Sequence, residues 1–422
     1  MPNDQAKGFV RRIAVDLAPL RASRDFRLIW WGEVVSQTGT QIALVALYVQ
    51  VFDLTGSSVA VGAVGLVQLV PMIVTSLLMG PVIDRVDRRK ILIGAQLGQA
   101  AAASLLLFGA VMGDPPLVLV YGAAALNAAF VSVALPTRSA VTPSLVPTEM
   151  LPAATALNQV MWNTAAVVGP AVGGVLVARV GLTWAYGIDF ATYGVAFMCA
   201  VMLRPLLPIR DENAEQERGL TAVLGGLRYL KGRRVLQSTF TIDIVAMVFG
   251  MPRALFPVLA LEQFHRGKEV VGLLFSAAAA GALIGALTSG WVSRIRRMGL
   301  AILVAVALWG GAIALFGLVG DRLWLAFVLL AFAGSADVVS AVFRSTIQQM
   351  TVPDDLRGRL SSFNILVVTG GPRLGDAEAG FVASAFSPTV SVVSGGLLCL
   401  VGVGAIALAV PRFAHWKIGD PP

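Results

Sequence analysis

The stretch Gly80-Pro81-Val82-Ile83-Asp84-Arg85-Val86-Asp87-Arg88-Arg89-Lys90 is a compact charged turn wedged between two long apolar segments. It reads as a hinge embedded in a membrane. Asp84 stands at the mouth of a helix, where a carboxylate accepts backbone N–H groups or pairs with a neighbouring guanidinium. Gly80 removes a side chain where another helix approaches closely. Arg85, Arg88, Arg89 and Lys90 hold the turn on the cytoplasmic face by the positive-inside bias.

The surrounding chain is apolar enough for such a hinge. Of 422 residues 57% are hydrophobic and 13% charged, and the mean hydropathy is +0.79, which excludes a water-soluble globular domain. The net charge of +8 does not point to nucleic acid, because Lys and Arg fall in short clusters between apolar runs rather than on one patch. Cys199 and Cys399 lie inside apolar runs without metal-ligand spacing and read as packing residues, so no metal or cofactor is expected. His265 falls in a loop and His415 in the tail, which leaves no histidine in a span to relay protons. With no histidine–acid pair and no phosphate-binding glycine loop, a membrane enzyme is disfavoured.

Twelve spans are expected, at roughly 26–52, 58–83, 90–112, 116–139, 151–179, 183–203, 235–261, 268–293, 299–319, 322–345, 359–386 and 388–411. The first follows an Arg-rich leader and is long enough to stay as a helix rather than be cleaved. The fold class is therefore an all-α membrane protein with twelve transmembrane helices in two pseudo-symmetric six-helix bundles. Its parts are a cytoplasmic leader (1–25), a first bundle (26–203), a polar cytoplasmic linker (204–234), a second bundle (235–411) and a cytoplasmic tail (412–422). Counting Lys and Arg puts 26 on the face of the tails and 4 on the other, with Arg253 and Arg373 inside spans, so both termini are expected in the cytoplasm.

The two halves repeat. Val61-Gly62 and Gly80 recur as Val271-Gly272 and Gly290 at a shift of 210, and Arg138-Ser139, Pro147, Asn158, Gly169 and Gly174 recur as Arg344-Ser345, Pro353, Asn364, Gly375 and Gly380 at a shift of 206. The first register lays Glu33 over Asp243. The second lays Gly169-Pro170-Ala171-Val172-Gly173-Gly174 over Gly375-Asp376-Ala377-Glu378-Ala379-Gly380, so an apolar element has become acidic in its twin.

A charge in the hydrocarbon core costs several kcal/mol unless it faces a cavity or a partner, so each is a functional candidate. Glu33, Gln37 and either Thr40 or Gln41 share one face of the first span and are expected to line an aqueous path. Asp243 and Arg253 lie about 15 Å apart along a straight helix and about 80° round it, so Arg253 needs an acid from elsewhere. Asp337, Asp376 and Glu378 are the candidates, while Arg373 and Asp376 are spaced to satisfy each other locally. The alternative is that all these groups form internal ion pairs that only hold the bundle together. Asp189 reads as structural, satisfied by Thr192 and Tyr193, and Trp30, Trp31, Trp184 and Trp324 read as interfacial anchors.

The charged turn resembles the loop between the second and third helices of the major facilitator superfamily, of the form Gly-x-x-x-Asp-Arg-x-Gly-Arg-Arg/Lys, with Asp87 in the glycine place. Gly169-Pro170-x-x-Gly173-Gly174 resembles the glycine–proline element in the fifth helix of its proton-coupled exporters, although Ala165 replaces the glycine expected four residues earlier. Leu54-Thr55-Gly56-Ser57-Ser58, Leu135-Pro136-Thr137-Arg138-Ser139, Phe249-Gly250-Met251-Pro252-Arg253 and Gly285-Ala286-Leu287-Thr288-Ser289-Gly290 are similar to its enterobactin (siderophore) exporter-like branch. The resemblance implies a proton-coupled exporter of a small amphipathic molecule, working as a monomer by alternating access in the inner (cytoplasmic) membrane, with siderophores favoured. The alternative it leaves is multidrug efflux on the same fold. It also implies that Asp84 bridges the two halves on the inner side in the outward-open state.

The orientation is testable in intact cells with a membrane-impermeant thiol reagent, after Cys199 and Cys399 are changed to Ser. Asn213→Cys, in the linker, is expected to stay unlabelled and Asp114→Cys, in an outer turn, to react; the reverse pattern would invert the topology.

Overall fold

Inside a bilayer no water satisfies backbone N–H and C=O groups, so long apolar runs close their hydrogen bonds internally as helices. In the computed structural model, which describes residues 16–83, 85–207 and 220–417, they do so twelve times among the described residues. Asp84 and the linker charges Arg210, Asp211, Glu212, Glu215, Glu217 and Arg218 lie outside the described residues. The first six helices are α1 (Arg24–Thr55), α2 (Ser58–Ile83), α3 (Arg88–Met112), α4 (Leu117–Leu145), α5 (Leu151–Arg179) and α6 (Leu182–Val201). The second six are α7 (Arg234–Phe249, continued by shorter turns to Gln263), α8 (Glu269–Thr288), α9 (Met298–Gly317), α10 (Leu323–Thr351), α11 (Asp354–Ala385) and α12 (Pro388–Ala409). Eleven are both long and apolar enough to cross a membrane; α11 is long enough but too polar, and of its charges Asp376 is buried against other helices while Arg373 and Glu378 are half-buried.

Three helices depart from expectation in ways that bear on the site. Helices α4 and α10 each run about two turns further than the sequence implied, α4 passing through Pro136 and Pro143. The extension leaves Arg138 and Arg344 about two turns inside their helices rather than at the ends, and both are buried rather than part of the basic face on which they were counted. Helix α7 stops at Phe249, because Gly250 and Pro252 follow and Pro252 has no N–H to donate. A 3-10 turn (Arg253–Leu255), a short helix (Phe256–Val258) and a π turn (Leu259–Gln263) complete the crossing.

The linker is more than a polar connection. Its Leu220–Leu230 stretch is a helix that packs on α11, with Leu230 buried and the Arg233 guanidinium 3.7 Å over the Tyr229 ring. Large apolar side chains such as Leu66, Val70, Val74 and Leu78 form an exposed stripe on α2, the surface a bilayer covers. Trp31, Trp184 and Trp324 are exposed near helix ends.

Within the first six helices α1 packs on α5 and α6, α2 on α4, and α3 on α4 and α6; within the second six α8 packs on α10, α9 on α10 and α12, and α7 on α11 and α12. Two seams join the groups, α2 against α11 and α5 against α8. Both are made by glycines that the repeat relates. A Cβ on Gly62 would strike the Asp376 carbonyl and crowd Gly380, and a Cβ on Gly272 would strike the Pro170 carbonyl and crowd Gly174. Such contact lets two backbones touch, which a side chain on either would prevent. The seams are reinforced by Lys268 Nζ to Asp53 Oδ2 at 2.6 Å and by the Ser276 hydroxyl donating to the Val167 carbonyl at 2.7 Å.

All of these contacts lie toward the helix ends opposite the chain's tails, called the far end below. At the tail end, Gly80 does the opposite of what its sequence context implied: a Cβ there would meet open space, so among the described residues no helix packs against that face of it. Replacing Gly272 with Val is expected to prise α5 from α8. Overpacking of this kind costs roughly 1–3 kcal/mol, enough to shift the closed population by about tenfold. Spin labels on Asp114→Cys and Asp321→Cys should then report a longer far-end distance.

Candidate functional site

Buried charge falls in two layers. Nearer the tail end, Arg138 of α4 donates from Nη1 to Oε1 of Glu33 on α1 at 2.8 Å, both buried. Its repeat equivalent is Arg344 of α10, whose Nη2 stands 2.8 Å from Oδ1 of Asp243 on α7, a charge contact without hydrogen-bond alignment. Each expected acid is therefore engaged by an arginine of its own group of six. Glu33 is thus turned to a partner rather than to the aqueous path it was expected to line: a carboxylate at this depth needs a cation, and the repeat supplies one to each acid.

The polar face of α1 divides accordingly. Glu33 turns to α4, the Thr40 hydroxyl pairs with Tyr193 of α6 at 2.8 Å, and Gln41 lies under Gly169 of α5, whose Cβ it would obstruct. Gln37 is half-buried between them. Gly173 stands against the Ile42 backbone and Gly174 against Gly272 and Glu269, so the glycines around Pro170 hold α5 to both α1 and α8.

The two pairs are not equal. Arg344 also donates from Nη1 to the Ser340 hydroxyl oxygen at 2.9 Å and has Oδ1 of Asp337 at 3.9 Å. Asp337 Oδ1 is buried without a hydrogen-bond partner among the described residues, while 24% of the Asp337 side chain stays exposed. Val131 occupies the matching position of α4. Two carboxylates thus share one guanidinium in the second half, against one in the first.

The second layer sits at the far-end seam. Tyr48 of α1 donates to Oδ2 of Asp376 on α11 at 2.7 Å, and Arg253 Nη2 stands 3.6 Å from the same oxygen. Arg373 does not pair with Asp376 as their spacing implied. Its Nη1 donates to its own helix, at the Thr369 carbonyl 2.6 Å away, and among the described residues no carboxylate lies within 4.0 Å of it. The reason is that Asp376 is drawn toward α1 and α7. Glu378, two residues on, is half-buried and takes no part in this cluster.

The charged turn is fastened within the first half. Arg88 donates to the Ala140 carbonyl at 2.9 Å and Arg89 to the Val201 carbonyl at 2.6 Å, while Arg85 is exposed. Asp87 accepts from the Arg89 amide at 3.0 Å and the Leu206 amide at 2.8 Å, so the acid in the glycine place caps α3 and ties it to the end of α6. Asp189 also differs from expectation. Thr192 donates to its backbone carbonyl, Tyr193 is used by Thr40, and the buried Asp189 Oδ1 has no hydrogen-bond partner among the described residues.

Sequence reasoning missed Arg138 and Arg344 as site residues. The signal was present, since both recur at the shift of 206, but their place near the expected span ends assigned them to the basic face.

The family described as transmembrane secretion effector matches residues 14–418. The chain belongs to this family of the major facilitator superfamily. It is a multi-pass membrane transporter of a small-molecule substrate, not an enzyme. Among curated proteins it is 28% identical to the enterobactin exporter EntS of Citrobacter koseri over 391 residues, covering 92% of both chains. It is 27% identical to the Escherichia coli K12 exporter of the same name over 409 residues, covering 96% of this chain and 97% of that one. Among solved structures, a bacterial homologue of the iron transporter ferroportin in an inward-facing state superposes with a TM-score of 0.68 at 16% identity, covering 93% and 98% of the two chains. A POT family transporter bound to 5-aminolevulinic acid superposes with a TM-score of 0.74 at 11% identity, covering 93% and 97%. At these identities the structures speak for the fold alone.

In this transporter, Arg138→Gln is expected to lower stability by about 3–5 kcal/mol, because it leaves Glu33 buried and uncompensated. The double change with Glu33→Gln should recover most of that loss. Thermal unfolding of the purified protein checks both; equal losses in the single and double variants would make the pair unimportant to stability.

Proposed function

We propose that this transporter is a proton-coupled secondary exporter of small amphipathic molecules, siderophores favoured, working by alternating access. In this reading it is a monomer in the cytoplasmic membrane, with residues 26–203 and 235–411 as its moving bundles, the linker 204–234 and both termini inside. The exporter assignment draws on the relatives named above; the coupling assignment draws on charge.

The observation that carries the coupling is the sharing of Arg344 by Asp243 and Asp337. Two carboxylates facing one guanidinium cannot both ionise cheaply in a low-dielectric bundle, so one proton resides there. The partly exposed Asp337 is the member able to exchange it with water. Glu33, matched one to one by Arg138, has no such excess and serves to hold α1 on α4. The glycine seams at the far end support assigning this conformation to the state open toward the tails, which in the proposed orientation is inward-facing. Asp84 is proposed as the tail-end partner that engages when the far end opens.

The test is accumulation of labelled substrate in proteoliposomes under an imposed pH gradient, with a catecholate chelator and a hydrophobic cation as parallel substrates. Asp337→Asn is expected to abolish gradient-driven accumulation of the transported compound while sparing exchange without a gradient. Exchange needs the substrate site but no net proton movement. Undiminished accumulation in both Asp337→Asn and Asp243→Asn would refute coupling at Arg344.

A further inference from the structure

The far-end cluster of Tyr48, Arg253, Arg373 and Asp376 is chemically unfinished. Arg253 Nε, Arg373 Nε and Asp376 Oδ1 are each buried without a hydrogen-bond partner among the described residues. Two guanidinium groups accompany one carboxylate, of which only Arg253 contacts it, so the cluster carries one positive charge in excess. Unmatched polar groups at a helix interface cost free energy that a protein built only for sealing would remove.

The repeat shows that sealing does not require them. In the twin seam of α5 and α8, the positions matching Arg373 and Asp376 hold Val167 and Pro170, and those matching Tyr48 and Arg253 hold Val258 and Ala43. That seam closes through Gly174 and Gly272 with no charge at these positions. The α2–α11 seam has the same glycine contact through Gly62 and Gly380, and the charged cluster is an addition to it.

From this asymmetry we infer that Arg253 and Arg373 form the binding site for an oxyanion of the substrate, a carboxylate or ionised catechol, and that Asp376 occupies the Arg253 side of that site when no substrate is present. The guanidinium fork is matched to two-oxygen anions, and both arginines have an N–H to spare. Arg253 keeps 30% of its side chain exposed, and its turn packs against both α2 and α11, at the line where the halves meet. Asp376 is 1% exposed and is held by Arg253 from its own half and by Tyr48 from the other. An arriving anion displaces Asp376 from Arg253. That removes the cation stabilising the carboxylate which Tyr48 grips, so substrate binding loosens the far-end seam it must pass. The inference rests on the transport reading only in taking this cluster to lie on the substrate path.

The test uses the full chain in phosphatidylcholine nanodiscs without any gradient, so it does not depend on proton coupling. Binding of benzoate and of its neutral counterpart benzamide is followed by intrinsic tryptophan fluorescence. The far-end distance is read from spin labels at Asp114→Cys and Asp321→Cys. Wild type is expected to bind benzoate about tenfold or more tightly than benzamide, and benzoate to lengthen the distance. Arg373→Gln should erase the preference, and Arg253→Lys, which keeps charge but loses the fork, should reduce it. Asp376→Asn should tighten benzoate binding several-fold and lengthen the distance with no ligand present. Equal binding of benzoate and benzamide by wild type, which needs no variant to fold, overturns the inference. So does an Asp376→Asn protein with unchanged affinity and distance. Loss of the benzoate response on adding phosphatidylglycerol would assign the site to a lipid headgroup and overturn the substrate assignment. A protein that passes here but fails to accumulate substrate under a pH gradient retains the anion site and loses the proton-coupled reading.

Discussion

An ionised side chain inside a bilayer-spanning bundle must be matched by another charge, by a hydrogen-bonding neighbour or by a water-filled path, because hydrocarbon offers nothing to replace its hydration. The arrangement of α1, α4, α7, α10 and α11 follows from that requirement. Glu33 draws Arg138 into α4, and Asp243 draws Arg344 into α10; in each case the helix continues about two turns beyond the arginine. The same requirement pulls Asp376 of α11 toward Tyr48 and Arg253, and leaves Arg373 to its own backbone.

Duplication turns one such solution into two, and the departures from symmetry carry the specialisation. The glycine seams are equivalent on both sides of the molecule, as closing one end of a two-bundle protein demands. The ion pairs are equivalent too, except that Asp337 adds a second acid to one of them. The far-end cluster has no twin at all. The acid added beside Arg344 near the tail end and the second arginine added at the far end therefore sit in different layers. The seam between the halves passes through the second layer, so whatever alters Asp376 acts on the contact between bundles.

The apolar runs, the basic turns and the repeat were legible in the chain because they depend on local composition and on periodic matching, which folding does not rearrange. Span count and boundaries follow from hydrocarbon thickness, and most helix ends fall within three residues of where hydropathy puts them. The two shifts that align Gly62 with Gly272 and Gly174 with Gly380 also marked, without saying so, the four glycines on which both seams close. What the pattern hid was the use of Arg138 and Arg344. An arginine near a span end looks the same whether it reaches for solvent or turns inward.

The sequence by itself determined the fold class, the duplication and the inventory of buried acids, since each is a property of residue type and spacing along one chain. Only the tertiary structure decided which cation meets which acid, that Asp337 shares Arg344 with Asp243, that Asp376 bridges to Tyr48, and that Gly80 faces open space while Gly62 and Gly272 are closed upon. The physical reason is range. Helix formation and membrane insertion are settled over about twenty consecutive residues, whereas an ion pair or a glycine seam is settled by the rotation and tilt of two helices hundreds of residues apart.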